Sequence, residues 1–218
     1  MLEIACFEIT SAETALNSVA DRIEFCSDIQ SGGLTPDLEE FRYLKSKYHT
    51  PIHVMIRPSA GSFLYSEGEF EQMKISLSAF RDAGADGFVF GVLDVQQRID
   101  VVRNRILLDL ADGKPCVFHR AVDRTRDLFR SAELIMQLGF REILTSGGKR
   151  TALEGKENLK KLVELFPENI LIGGSVRSGN ISELIHTVKS HRFHSSAILS
   201  YETFANPNEI KLMKECTG

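Results

Sequence analysis

A histidine, an arginine and an aspartate follow one another closely after an apolar run in the middle of the chain. His119 and Arg120 end the run that begins at Cys116, and Asp123 comes three residues later. Histidine is the side chain best suited to proton transfer near neutral pH, while arginine binds anions. We therefore predict His119 and Asp123 as acid–base residues and Arg120 as a ligand-binding residue. The alternative is a core histidine bonded to Glu24 or to a backbone carbonyl.

Two earlier segments carry further reactive side chains. Arg22–Cys26 alternates polar and apolar residues, so Glu24 and Cys26 share one face if the segment is a strand. A buried carboxylate is costly unless it is paired, so Glu24 is either an acid–base residue or half of an internal salt bridge. Arg57 precedes Pro58 at the end of another apolar run, and its planar fork suits a carboxylate or a phosphate. It could equally neutralise Glu24.

Two glycine pairs follow later apolar runs, and both are candidates for anion binding. Ser146 is followed by Gly147 and Gly148, and Ile172 is followed by Gly173 and Gly174. Paired glycines let backbone N–H groups approach an anion, although they also occur in ordinary tight turns. His194 lies in the last apolar run and is a further ligand-binding candidate. The run is too short to show whether the His194 side chain faces the barrel interior or the helices.

The sequence lacks the motifs of several common catalytic sites. No lysine stands at the C-terminal end of a predicted strand, which argues against a Schiff-base aldolase. The sequence also has no HExxH pair, Walker loop or His-x-His pair.

Composition excludes some partners and suggests a compartment. The chain has 218 residues and a formal charge of −4, without the basic stripe that nucleic acid binding needs. No apolar stretch approaches the roughly 20 residues that span a bilayer. The acidic N-terminus does not resemble a signal peptide. The four cysteines form no CxxC pair, so we expect reduced thiols in a cytoplasmic protein.

The elements that must position these side chains alternate regularly along the chain. Eight short apolar runs bounded by Gly, Pro, Asp, Asn or Ser have the character of buried parallel strands. The predicted strands are Leu2–Phe7, Arg22–Cys26, Ile52–Arg57, Gly87–Phe90, Cys116–His119, Glu142–Thr145, Ile170–Ile172 and Phe193–Ala197. Eight strand–helix units predict one (β/α)₈ TIM-like barrel over residues 1–218, with a doubly wound sheet as the alternative.

The segments between these strands have helical periodicity. One example is the i, i+3, i+4, i+7 stripe of Leu159, Leu162, Val163 and Phe166. We predict helix N-caps at Ser11, Asp37, Asn180 and Asn208. In a barrel of this kind the C-terminal strand ends and the loops that follow them build the functional site. His119, Arg57 and both glycine pairs occupy such positions.

Several of these segments, in order, resemble the CutC copper-homeostasis family. The matching segments are Ala20–Ser27, Gly32–Pro36, Met55–Pro58, Phe63–Ser66, Phe90–Asp94, Phe118–Ala121, Ile143–Gly148 and His194–Ala197. The resemblance covers essentially the whole chain. It implies a cytosolic TIM-like barrel that self-associates into a homo-oligomer, and a role in copper homeostasis.

The resemblance also implies a copper(I) ion bound through cysteine, since soft sulfur ligands suit copper(I). The candidates here are Cys26 and Cys6, with Met55 as a third ligand. If Glu3 points into the barrel, strand alternation turns Cys6 toward the helices. Some family members carry cysteine at the position of Ala5, where this chain differs. Isolated strand cysteines are most often small core residues, which is the alternative for both thiols. Neither Cys116 nor Cys216 is expected to be a ligand.

Three functions are consistent with the sequence, and the choice between enzyme and non-enzyme stays open. The first is a copper-homeostasis protein that binds copper(I). The second is a barrel enzyme that uses Glu24 and His119 on a small anionic or phosphorylated metabolite. The third is a non-catalytic scaffold in which Glu24, Arg57, His119, Arg120 and Asp123 form an internal charge network.

Overall fold

Eight parallel strands close into a barrel in strict chain order, each hydrogen-bonded to the next and the last to the first. A computed structural model describes residues 1–217. The strands are β1 Leu2–Cys6, β2 Arg22–Phe25, β3 Ile52–Met55, β4 Gly87–Phe90, β5 Cys116–Phe118, β6 Glu142–Thr145, β7 Ile170–Ile172 and β8 Phe193–Ser195. This closure confirms the predicted (β/α)₈ barrel and excludes the doubly wound sheet.

One α-helix follows each strand and covers the outside of the barrel. The helices are α1 Ile9–Leu16, α2 Leu38–Lys47, α3 Glu67–Asp82, α4 Val101–Leu110, α5 Leu128–Leu138, α6 Lys156–Leu165, α7 Ser178–Val188 and α8 Pro207–Thr217. Two short 3₁₀ segments, Ile29–Ser31 and Arg120–Arg124, lie in the loops after β2 and β5. None of the helices in residues 1–217 is long and apolar enough to cross a membrane.

Helix starts are the least well predicted part of the fold. Asp37 caps α2 as expected, accepting hydrogen bonds from the N–H groups of Glu39 and Glu40. Helix α1 instead begins after Glu8, whose carboxylate accepts from two backbone N–H groups, so the prediction of Ser11 was wrong. Asn180 and Asn208 lie inside α7 and α8 rather than at their N-caps. A short polar side chain near a helix start does not reveal which residue leaves helical geometry.

Strand alternation divides the buried side chains into two groups. The larger group fills the space between the sheet and the helices, and it includes Cys6, Phe25 and Phe118. The smaller group forms an apolar band across the inside of the barrel, made of Cys26, Met55, Val89, Val117, Leu144 and Leu171. The polar side chains of the same strands lie above and below this band. The barrel interior therefore has a charged floor at the N-terminal strand ends and a polar rim at the C-terminal ends.

Candidate functional site

His119 lies immediately after β5 and is buried beneath the loop that follows β3. Its Nδ1 accepts a hydrogen bond from the backbone N–H of Ala121 at 3.3 Å, and its ring packs against Phe63 with centroids 4.7 Å apart. A Cβ on Gly91 would lie only 2.9 Å from Nδ1, so glycine makes room for the imidazole. The Nε2 atom is buried and has no hydrogen-bond partner among residues 1–217.

Burial also keeps this imidazole neutral. The pKa of His119 is lowered to about 3 by desolvation, with a further contribution from the positive charge of Arg57. Because Nδ1 accepts a hydrogen bond, the proton of the neutral ring lies on Nε2, which can donate one hydrogen bond. His119 is therefore suited to orienting a neutral group at the polar rim. At neutral pH it carries no charge that would attract an anion.

The Arg57 guanidinium is bound by backbone carbonyls. Its Nη1 donates to the carbonyls of Ser31 at 2.7 Å and Gly33 at 2.9 Å. The Phe63 ring stacks under it at 5.0 Å from the guanidinium carbon. No ion pair joins Arg57 to Glu24 within residues 1–217, so the proposed neutralisation of Glu24 by Arg57 is wrong. Arg57 thus ties the loops after β2 and β3 together over the barrel.

Asp123 occupies the glycine-rich turn after β6. Its carboxylate accepts hydrogen bonds from the hydroxyl of Thr145 at 2.5 Å, the N–H of Ser146 at 3.1 Å and the N–H of Gly148 at 2.9 Å. Both Gly147 and Gly148 adopt positive φ, and the Gly148 N–H is the one of the two that reaches Asp123, since the Gly147 N–H donates to the Thr145 hydroxyl at 2.9 Å. The predicted anion-binding turn therefore has an anion, and that anion is the protein's own carboxylate.

Arg120 completes this cluster from the other side. It donates to Asp123 at 2.9 Å, to the Ser146 hydroxyl at 2.6 Å and to the carbonyl of Lys149 at 3.1 Å. With these partners, Arg120 and Asp123 join the loops after β5 and β6. This part of the site matches the internal charge network of the scaffold hypothesis.

The second glycine pair is held close to the same loop. A Cβ on Gly173 would lie 2.6 Å from Leu144 Cδ1, and one on Gly174 would lie 2.9 Å from Ser146 Cβ. The carbonyl of Gly174 accepts from the N–H of Ala152 at 2.8 Å. Close approach to strand β6 accounts for Gly173, and close approach to the loop after β6 accounts for Gly174. Their use as ligand-binding residues stays a prediction.

Glu24 points into the barrel, as strand alternation predicted, and meets two other polar side chains there. Ligand atoms of Glu3, Glu24 and His194 all lie within 4.8 Å of one another. The Oε2 atom of Glu24 has no hydrogen-bond partner among residues 1–217, although the residue is only 3% exposed. His194 faces the same interior space and contacts Glu3 at 2.7 Å.

The surroundings shift the pKa values of these groups in different directions. Burial raises the pKa of Glu24 to about 7, with the His194 charge opposing and the Glu3 charge adding to the shift. Burial would lower the pKa of His194, but the carboxylates of Glu24 and Glu3 outweigh it and raise that pKa. Burial alone would raise the pKa of Glu3, and Arg22 together with His194 brings it below its usual range. Glu24 is therefore the carboxyl of this group that exchanges a proton near neutral pH.

Sequence reasoning missed the other members of this charged floor. Arg22 donates to Glu3 at 2.5 Å and to Glu142 at 2.7 Å, and Arg192 donates to Glu142 at 2.7 Å. His53 lies beside Glu24 in the strand register, and burial lowers its pKa to about 4. The available sequence pattern was that two predicted strands begin at a charged residue, Arg22 and Glu142, and another begins just after Arg192. Only barrel closure shows that these strand starts meet.

The two predicted metal-binding cysteines face opposite sides of the sheet. Cys26 lies in the interior band and its Sγ donates to the carbonyl of Cys6 at 3.3 Å. The Cys6 side chain packs among the helices, as the parity argument predicted. Burial raises the pKa of Cys26 well above its usual range, and Glu24 adds to the shift. Met55 shares the interior band with Cys26.

The intramolecular role of Asp123 predicts a large stability loss when its charge is removed. Asp123→Asn should lower the free energy of unfolding by about 2–4 kcal/mol, because Arg120 loses its counter-ion and an amide NH₂ meets backbone donors. Urea denaturation of the purified variant measures this. As a control, Asp82→Asn should stay within about 0.5 kcal/mol, since that side chain is 69% exposed. Wild-type stability of Asp123→Asn would contradict the assignment.

The environment of Glu24 predicts a pH-dependent effect of its substitution. Its folded-state pKa, about 7 against an ordinary 4.5, means that folding favours the protonated form. This contribution is full below about pH 4.5 and is lost as pH rises through about 7. Glu24→Gln should therefore gain stability relative to wild type between about pH 5 and pH 8, by on the order of 2 kcal/mol.

Urea unfolding of both proteins across this pH range measures the difference. Comparing the two proteins removes the contributions of His53 and His119, whereas that of His194 changes with the substitution because the Glu24 charge raises the His194 pKa. The exposed Glu164→Gln serves as the control and should show a difference from wild type that does not vary with pH. A pH-independent difference for Glu24→Gln would contradict the assigned pKa shift.

Comparison with known proteins extends the structural argument. Residues 1–199 match the CutC family. The chain is 36% identical over 199 residues to a human copper homeostasis protein cutC homolog, covering 90% of this chain and 73% of that protein. It is also 36% identical over 217 residues to the homolog from Caenorhabditis elegans, covering 98% and 86%.

Solved structures agree with this relationship. The crystal structure of CutC from Streptococcus agalactiae superposes with a TM-score of 0.85 at 26% identity, covering 90% of this chain and 98% of that one. Phosphoribosyl anthranilate isomerase from Thermococcus kodakaraensis has a TM-score of 0.63 at 16% identity, covering 99% and 97%, which shows the barrel fold alone. On both sequence and structure, the chain belongs to the CutC family.

Proposed function

We propose that this protein binds copper(I) inside the barrel, through the sulfur atoms of Cys26 and Met55, as part of copper homeostasis. The human and nematode relatives are named as copper homeostasis proteins. The observation that carries the proposal is the shared interior position of these two side chains. Phe25 pairs with Val54 between β2 and β3, so Cys26 and Met55 follow at adjacent positions.

Spacing and surroundings support a two-sulfur site. Neighbouring strands lie about 4.8 Å apart, which lets adjacent side chains meet. A Cβ on Gly33 would lie 3.5 Å from both Cys26 Sγ and Met55 Cε, so both side chains reach the same point beneath that loop. Thiolate and thioether ligands suit copper(I). The remaining band members Val89, Val117, Leu144 and Leu171 are apolar and limit access of water to the ion.

Cys6 is not part of the site in this proposal. Its side chain packs on the helix side of β1, and its Sγ donates to the carbonyl of Ile4 at 3.5 Å. The register places the inward-facing Ala5 beside Glu24, and Phe7, which follows Cys6 at the level of Cys26, packs against the interior band. Neither side chain offers a ligand atom. The second sulfur comes from the neighbouring strand β3 instead.

Copper(I) titration of the purified protein against a chromogenic chelator, without oxygen, tests the proposal. Wild type should bind one ion per chain. Cys26→Ser should abolish competition with the chelator, and Met55→Leu should weaken binding about tenfold or more, equivalent to about 1.4 kcal/mol. Cys6→Ser and Cys116→Ser are matched controls that should bind as wild type. Unchanged binding by Cys26→Ser, or equal loss in Cys6→Ser, would overturn the proposal.

A barrel enzyme acting on a small anionic metabolite is the second candidate function. The observation in its favour is that two buried atoms have no partner among residues 1–217, Nε2 of His119 at the polar rim and Oε2 of Glu24 in the charged floor. The apolar band lies between them. Against an anionic ligand, the Arg57 guanidinium and the turn at Gly148 already bind groups of the protein itself. These contacts make copper(I) binding the better-supported candidate.

Calorimetric titration with inorganic phosphate distinguishes this candidate from the first. An anion site at the barrel mouth predicts saturable phosphate binding that His119→Gln weakens while urea denaturation shows an intact fold. Wild type that binds copper(I) but not phosphate would remove the second candidate. The homo-oligomeric state and cytoplasmic location implied by the family stay predictions.

A further inference from the structure

The charged floor of the barrel contains a second cluster of metal-ligating side chains, separate from the two sulfur atoms. We infer that Glu3, Glu24 and His194 form a binding site for a divalent transition-metal ion of the Zn²⁺ class. Their ligand atoms lie within 4.8 Å of one another. This site has oxygen and nitrogen donors in place of sulfur, and it is distinct from the proposed copper(I) site.

Strand register brings the three residues together. Glu3 of β1 pairs with His194 of β8 on one side, and Ala5 of β1 pairs with Glu24 of β2 on the other. All three side chains face the barrel interior from three consecutive strands. A site on neighbouring strands of a closed barrel is held more precisely than one on loops.

The ligand geometry requires only small side-chain movements. Zinc binds carboxylate oxygen and imidazole nitrogen at about 2.0–2.2 Å in a tetrahedral arrangement, so ligand atoms lie about 3.3 Å apart. The present spacing exceeds this by about 1.5 Å at most, which side-chain rotation can close. Two carboxylates and one imidazole also leave a fourth position open.

The independent observation is the unpartnered Glu24 oxygen. Each oxygen of Glu3 is bonded, one to His194 and one to Arg22. Both oxygens of Glu142 are bonded as well, through Arg22 and Arg192. Oε2 of Glu24 has no partner within residues 1–217 and is buried in the cluster. A buried carboxylate oxygen is costly unless a donor or a cation satisfies it.

The arginines of the charged floor pair with Glu3 and Glu142 but leave Glu24 unpaired within residues 1–217, so an ion-pair network does not explain why Glu24 is buried there. Arg22 bridges Glu3 and Glu142, and Arg192 binds Glu142, so these two cations are matched by two carboxylates. Glu24 remains without an arginine among the described residues. Arg22 also fixes the orientation of Glu3, in the way that outer hydrogen bonds commonly orient a metal-binding carboxylate.

The His194 side of this cluster is the side that solvent touches. The His194 side chain is 13% exposed, whereas that of Glu3 is fully buried. An ion could therefore reach the imidazole first. The neutral imidazole of His53, next to Glu24 in the register, lies nearby with an unpartnered Nδ1.

Zinc titration of chelator-treated full-length protein tests this inference. Calorimetry should give one Zn²⁺ per chain, and Co²⁺ should give the visible d–d absorption of a low-coordinate site. Glu24→Gln and His194→Gln should each weaken binding about a hundredfold or more. The control His119→Gln removes another buried imidazole with an unpartnered nitrogen and should leave binding unchanged.

The outcomes separate this site from the copper(I) site. Cys26→Ser should lose copper(I) and keep Zn²⁺, whereas Glu24→Gln should lose Zn²⁺ and keep the protein folded. Glu24→Gln is nearly isosteric, so it keeps the test decisive if His194→Gln fails to fold. Absence of stoichiometric Zn²⁺ binding by wild type would overturn the inference. Binding that Glu24→Gln leaves intact, or that Cys26→Ser abolishes, would overturn it equally.

Discussion

Arg22 joins Glu3 and Glu142 across the floor of the barrel, and the rest of the interior depends on this bridge. It brings together the starts of the consecutive strands β1 and β2 and the start of β6, which lies 120 residues beyond Arg22 in the chain. Desolvating three charges is costly, and only mutual pairing at short distance offsets that cost. Because the bridge satisfies Glu3 and Glu142, Glu24 is left as the floor carboxyl that no arginine pairs within residues 1–217. The inferred metal site at Glu3, Glu24 and His194 depends on this unpaired carboxyl.

At the polar rim, charged side chains are hydrogen-bonded to other groups of the protein. Asp123 accepts from the turn after β6, and Arg120 connects it to the carbonyls of the same loop. Arg57 is bonded to carbonyls of the loop after β2. These contacts hold the mouth of the barrel together at the position where related folds bind phosphate. The fold position is shared with enzymes, and Arg120, Asp123 and the turn at Gly148 already have partners within the protein. Among residues 1–217, Nε2 of His119 and Nε of Arg57 have none.

Between floor and mouth lies the apolar band that contains Cys26 and Met55. Sulfur side chains are compatible with such a band because they pack as hydrophobic groups and still offer soft donor atoms. The band also separates the charged floor from the polar rim. Two sites of different chemistry can therefore exist in one barrel, soft sulfur in the middle and oxygen and nitrogen below. Each would select its ion by donor type.

The sequence by itself determined the barrel, the order of its strands and the inward facing of Glu24 and Cys26. These follow from local periodicity, because alternation along a strand and apolar stripes along a helix need no distant information. Tertiary structure alone decided which charges meet. Arg22 and Glu142 are separated by 120 residues, and only closure of the sheet brings them within hydrogen-bonding distance. It also decided that the predicted anion-binding turn holds Asp123, since backbone N–H groups and side chains from different loops converge only in the folded barrel.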